Sequence, residues 1–233
     1  MAETKTKTRK NVLSIARPSK EGILAALKDS ETTIDKKKRA SLMERAFVAI
    51  LYLSGARVSE ICRNKRVPTR TEKITKDGWQ VFKAGHTGHD WDSIRTHQLH
   101  IKSYPQSDGT EKHALQIENV HTEKTRNKLN LFRTIPINQD EPLVNIILKY
   151  ANTFPEGLNA ELFPFDRKRA HRILRKINPD WFPHFMRHTR CSHLAIDEGY
   201  SDLELQKITG WSDTRPAATY SHWSVHDIVN KHF

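Results

Sequence analysis

HFMRHTRCSHLAIDEGYSDLELQKITGWSDTRPAATY, residues 184 to 220, is the stretch around which the chain is organised. His184 and Arg187 are three apart, so on a helix both project from one face, about one turn from each other, and can meet a shared target. Leu194, Ile196, Leu203, Leu205 and Ile208 are spaced to bury the far sides of two short helices, with Gly199 as the break between them. Gly210 before Trp211 reads as a helix stop. Ser212 to Pro216 reads as a turn that delivers Tyr220 on a new short helix.

Outward from this stretch, composition sets bounds. The 233 residues suffice for one large domain or two small ones, and 36% apolar content supports a folded core. A net charge of +12 fits a polyanionic partner such as nucleic acid better than a small neutral substrate. The amino terminus, MAETKTKTRK, has no hydrophobic run, and no stretch of 18 apolar residues exists. These features predict an intracellular, cytoplasmic protein without a membrane partner. Two cysteines, Cys62 and Cys191, make no disulfide framework, and no Cys-x-x-Cys pair suggests zinc.

Taken in order, residues 1–12 are a basic arm, expected to stay flexible until something anionic orders it. Ser19 is placed to cap a helix carrying Ile23, Leu24 and Leu27 on one face. A second helix is predicted from Asp35 to Leu53 on the spacing of Leu42, Met43, Phe47, Ile50 and Leu51, with Lys36 to Arg39 as its basic start. Gly55 allows a tight turn, and Arg57 precedes Glu60 by three positions at the head of the next helix. From Asn64 the pattern turns to strands. WQVFKAG (79 to 85), HQLHIKS (97 to 103), ALQIENV (114 to 120) and LFRTIPI (131 to 137) predict a small antiparallel sheet. Glu141 to Tyr150 reads as a helix with Pro142 in its first turn. Asp166 reads as the cap of a basic helix, with Ile173, Leu174 and Ile177 inward and Arg167, Lys168, Arg169, Arg172, Arg175 and Lys176 outward. His86, His89, His97, His100, Asp90 and Asp92 cluster in sequence, but no helix orients them and no Cys joins them, so no metal is assigned.

The 184 to 220 stretch resembles the carboxy-terminal signature of the tyrosine recombinases, the phage-type integrases, Xer- and Cre-like. It holds a His-x-x-Arg pair, a Gly-Trp, and a Tyr nine residues later. Most of the family has His where Trp211 stands, and Trp is a known variant. LSGARVSEI (53 to 61) resembles the family's first motif, and HTEKTRNKLNLFRTIP (121 to 136) resembles the hairpin that carries its lysine. The resemblance implies a mainly helical catalytic domain with a small antiparallel sheet over 13–233, catalytic residues Arg57, Lys124, His184, Arg187, Trp211 and Tyr220, and Glu60 steadying Arg57. Lys128 is the alternative lysine. With Arg126, Arg169 and Arg172 it is also a candidate DNA contact. Arg57 and Lys124 stand farther apart than the family usually has them, which predicts an insertion at about 73–106. Residues 221–233 are a tail, and too few residues precede Ile15 for the family's amino-terminal core-binding domain.

The chemistry that the resemblance implies matches these residue types. Two guanidinium groups neutralise the non-bridging oxygens of a phosphodiester, the tyrosine attacks phosphorus to give a 3′-phosphotyrosine, and the lysine protonates the departing 5′-oxygen. Neither metal, ATP nor other cofactor is required. The implied partners are double-stranded DNA and further copies of the chain, monomeric in solution and tetrameric on DNA. The alternatives are a type IB topoisomerase and a non-catalytic DNA-binding regulator.

Overall fold

The computed structural model describes residues 16–63, 67–76, 79–87, 92–122 and 132–220. Helix α1 (Lys20–Thr32) opens on Ser19, whose hydroxyl accepts the Gly22 amide at 3.1 Å, and buries Ile23 and Leu27. Helix α2 (Leu42–Ser54) starts seven residues later than Asp35, the predicted start. Ser41 and Glu44 form a capping box, the hydroxyl accepting the Glu44 amide at 3.2 Å and the carboxylate accepting the Ser41 amide at 3.0 Å. Asp35 instead caps its own turn through the Lys37 amide, leaving Lys36 to Arg39 exposed outside any helix. From Glu44 to Ser54 every residue of α2 is buried, which makes it the central helix. Helix α4 (Pro142–Ala151), with Pro142 at its start as predicted, packs on it, as does α6 (Pro183–Ser192).

Strands β3 (Leu99–Pro105), β4 (Glu111–His121) and β5 (Phe132–Asn138) form an antiparallel sheet with β4 in the middle. Leu115 faces Ile137 and Ile117 faces Ile135 across it, and all four side chains are buried. The register slips between Ile117 and Val120, where Asn119 takes a φ of +53°. Such a bulge re-aims the residues beyond it. Val120 then pairs with Arg133, and the buried Thr122 follows.

WQVFKAG does not join this sheet. It lies in β2 (Trp79–Thr87), which pairs only with β1 (Val67–Lys76) in a separate hairpin. The β1 sequence, VPTRTEKITK, lacks apolar alternation, so its pairing was not legible alone. Of the segment expected as an insertion, 73–76 and 79–87 belong to this hairpin. Leu99–Pro105 belongs to the main sheet, and Ile94 is buried with its amide on the Ile61 carbonyl at 3.1 Å.

Helix α5 (Arg167–Ile177) is capped by Asp166 and buries Ala170, Ile173 and Leu174. Lys176 is turned back to Glu44 at 2.7 Å rather than outward. Helix α6 runs into a π-helical turn, His193–Asp197, closed by the Glu198 amide on the His193 carbonyl. The wider turn shifts the face of the helix, so Ile196 is 39% exposed while Leu194 is buried. Helix α7 (Asp202–Thr209) buries Leu205 and Thr209, leaving Leu203 65% exposed, contrary to expectation for both Ile196 and Leu203. A short α8 (Arg215–Ala218) ends before Tyr220, which stands in the following turn with its amide on the Ala217 carbonyl at 2.7 Å. Leu194, Ala195, Leu205 and Ala217 form a small second core, and Trp211 and Tyr220 pack against it.

Candidate active site

One cleft of about 440 Å³ is lined by Arg57, Val58, Ser59, Arg167, Pro183, His184, Arg187, Trp211, Pro216, Thr219 and Tyr220. Five of the six residues expected to act together are among them. Lys124, with Lys128 and Arg126, lies outside the described residues. Arg169 and Arg172 are exposed on the outer side of α5, whose first residue, Arg167, reaches the cleft wall.

Arg57 is set by the turn after α2. Gly55 caps that helix at φ +56°, and Arg57 enters the single turn of α3 (Val58–Ile61). Glu60, 2% exposed, accepts the Arg57 amide at 2.8 Å and its Nη1 at 2.9 Å. A second guanidinium, from Arg133 in β5, donates to the same carboxylate at 2.8 Å. Burial alone would raise the Glu60 pKa. Arg133, Arg187 and Arg57, in that order, together outweigh it and hold the carboxyl below its usual range.

Arg187 projects from α6 and is 5% exposed. Its Nη1 donates to the Gly55 carbonyl at 2.7 Å and its Nη2 to the Thr209 carbonyl at 3.1 Å, so it bridges the end of α2 and the end of α7. Burial, then the neighbouring Arg57, lowers its pKa, yet a guanidinium remains charged. Such a buried cation favours an anion in the adjacent cleft. The Arg187 guanidinium also lies 5.4 Å from the ring centre of Trp211.

His184 occupies the first turn of α6 and is exposed on the cleft. His188, one turn further, contacts the Tyr220 ring with centroids 4.9 Å apart. Burial, then His184 and Arg17, lowers the His188 pKa, which favours a neutral imidazole. Trp211 follows Gly210, the αL cap of α7, and stacks on Tyr220. The Tyr220 phenol is half-buried beside the Cys191 thiol; burial, then Cys191, raises its pKa, against the pull of Arg187. The resting phenol is therefore protonated. Burial likewise pushes the Cys191 thiol up to about 11.

Arg133, His188 and Cys191 escaped the reading of the sequence. For Arg133 a signal existed: positions 133, 135 and 137 share one face of the strand, and a charge in phase with two buried isoleucines must find a partner. Among the described residues, no group of His, Cys, Asp and Glu is placed to hold a metal. His97 and His100 meet Asn159 and Glu118 instead.

Over 97% of its length the chain matches the structure of XerA recombinase, with a TM-score of 0.50 at 16% identity and 66% of that chain covered. The fold is that of a tyrosine recombinase catalytic domain. Similar structures include XerH site-specific recombinase bound to its difH substrate (TM-score 0.47, 12% identity, 92% of this chain and 53% of that one). Another is the Tn1549 transposon integrase in complex with circular intermediate DNA (TM-score 0.49, 15% identity, 98% and 67%). The chain thus spans just under two thirds of the XerA chain and about half of the XerH chain. Neither a sequence-family model nor a curated protein matches it in sequence. In this recombinase fold, no helix among the described residues is long and apolar enough to cross a membrane.

Proposed function

We propose that the chain is a site-specific DNA recombinase or integrase that cleaves and rejoins double-stranded DNA through a 3′-phosphotyrosyl bond to Tyr220. The observation that carries this reading is the convergence of Arg57, His184, Arg187, Trp211 and Tyr220 on one cleft. Arg57 and Arg187, each anchored on the protein by at least one hydrogen bond, neutralise the non-bridging oxygens of the scissile phosphate. The Trp211 indole N–H gives a further hydrogen bond without proton transfer. Tyr220 oxygen forms a bond to phosphorus as the bond to the 5′-oxygen breaks. The phenol proton passes to a base, His184, and Lys124 gives a proton to the leaving 5′-oxygen. Attack by the 5′-hydroxyl of a second strand reverses these steps, so bond energy is conserved. The +12 charge supplies the attraction to DNA, and strand exchange between two duplexes is assigned to four copies assembled on them.

The test is a nicked duplex that loses its 5′-hydroxyl fragment on cleavage, so that any covalent complex is trapped. A protein–DNA adduct that survives denaturing electrophoresis and maps by mass spectrometry to Tyr220 is the expected result. DNA binding without any adduct on a pool of sequences would leave a non-catalytic DNA-binding module. Relaxation of supercoiled DNA by dilute protein would point to a topoisomerase.

A further inference from the structure

The Arg133 side chain bonds three different elements carrying or adjoining the proposed catalytic residues. Its Nε donates to the Ile208 carbonyl at 3.1 Å, in the last turn of α7. Its Nη1 donates to the Thr122 hydroxyl at 3.1 Å, one residue past β4, and its Nη2 to Glu60 at 2.8 Å. Each contact stands next to a proposed catalytic group. Glu60 holds Arg57. Ile208 precedes Thr209, whose carbonyl holds Arg187, and Trp211 follows shortly after. Thr122 precedes Lys124 by two residues in sequence.

Two further observations agree. A Cβ on Gly210 would stand 2.6 Å from Arg133 Nη1 and 2.9 Å from its Cζ, so the glycine before Trp211 leaves room for this guanidinium as well as taking φ +69°. The bulge at Asn119 shifts β4 so that Val120 pairs with Arg133 and Thr122 comes within reach. A lysine carries its three donors on one nitrogen, whereas the planar fork of arginine spreads its donors over three, and Arg133 uses all three.

We propose that Arg133 is a positioning residue for the cleavage reaction. It shares the Glu60 carboxylate so that Arg57 remains available to a phosphate, and it ties the end of β4 to the α7 end that orients Arg187 and Trp211. The inference rests on the function proposed above. Without Arg133, Glu60 faces Arg57 with one cation fewer and draws that guanidinium towards itself and away from the cleft.

The experiment is single-turnover cleavage of the nicked duplex by the full chain, with amplitude and rate constant recorded separately beside DNA affinity. Arg133→Met should lower the rate constant by about 100-fold, the order of loss from a small misplacement of catalytic groups. Affinity should change little, because the loss falls in the transition state. Arg133→Lys should recover only a small part. The double variant Glu60→Gln with Arg133→Met should be faster than Arg133→Met by about tenfold, since no uncompensated carboxylate then competes for Arg57. A merely structural role would reduce the amplitude through loss of folded protein and leave the rate constant of the remainder unchanged. That result, or a rate constant for Arg133→Met equal to wild type, overturns the inference. Absence of any adduct from the wild-type chain would instead overturn the proposed function, so the two failures are distinguishable.

Discussion

The rings of Trp211 and Tyr220 lie 12° from parallel with centroids 5.7 Å apart. The tyrosine after α8 is thus held against the tryptophan after the α7 cap, Gly210. A phenylalanine can keep the stacking and lose only the hydroxyl. Tyr220→Phe should therefore fold and bind DNA as wild type does while forming no covalent adduct with a nicked duplex. An adduct that persists would move the nucleophile elsewhere, and Tyr200, packed against the same small core, is the next to test.

The leaving-group acid can be assigned by chemical rescue. Lys124→Ala should slow cleavage of ordinary DNA by about 100-fold, within the range for loss of general acid catalysis. A substrate with sulfur at the 5′-bridging position, whose leaving group needs no proton, should be cut at near the wild-type rate. Rescue of Lys128→Ala in place of Lys124→Ala would assign the role to Lys128.

Gly210 and Gly109 both have positive φ, at +69° and +80°, but only Gly210 has neighbours where a Cβ would stand. Alanine at either site costs about 1–2 kcal/mol for the left-handed backbone. At Gly210 it must also displace Arg133. Thermal melting should show Gly210→Ala less stable than Gly109→Ala by at least about 3 °C. Equal shifts would mean that Arg133 gives way freely.

The Tyr52 hydroxyl and the Nδ1 of His193 are 2.6 Å apart, both residues buried. Burial, then Arg17, lowers the His193 pKa to about 4 from an ordinary 6.5. The unfolded chain binds the proton more readily, so this group's contribution is complete above pH 6.5 and is lost as pH falls towards 4. Melting temperature should fall across that window in the wild type and fall less steeply in His193→Asn. Parallel curves for the two proteins would show that His193 does not drive the loss.

Much of the local structure is fixed by short-range chemistry. Ser19 and Asp166 are side-chain caps of the helices that follow them, Gly55 and Gly210 take the left-handed conformation that ends one, and the run from Ala46 to Leu53 is apolar on every side of a helix. The helix over Lys36 to Arg39 failed because a stronger start signal, the reciprocal bonds of Ser41 and Glu44, lay inside the predicted span. The motif spacing likewise marked Arg57, His184, Arg187, Trp211 and Tyr220, since the residue types and intervals are properties of the string.

Tertiary structure alone decided which groups meet across long separations. Glu60 and Arg133 are far apart in sequence, and nothing local ties them; a bulge in β4 and the seating of the sheet beside α3 bring them to 2.8 Å. The same holds for Cys191 beside Tyr220, for His193 beside Tyr52, and for the π turn that exposes Ile196. Caps, turns and helix faces depend on interactions over three or four residues, which the sequence states directly. Partners of buried charges depend on how separately formed elements pack, and that is settled only when the whole chain has chosen where each charge can be left with a counter-ion rather than without one.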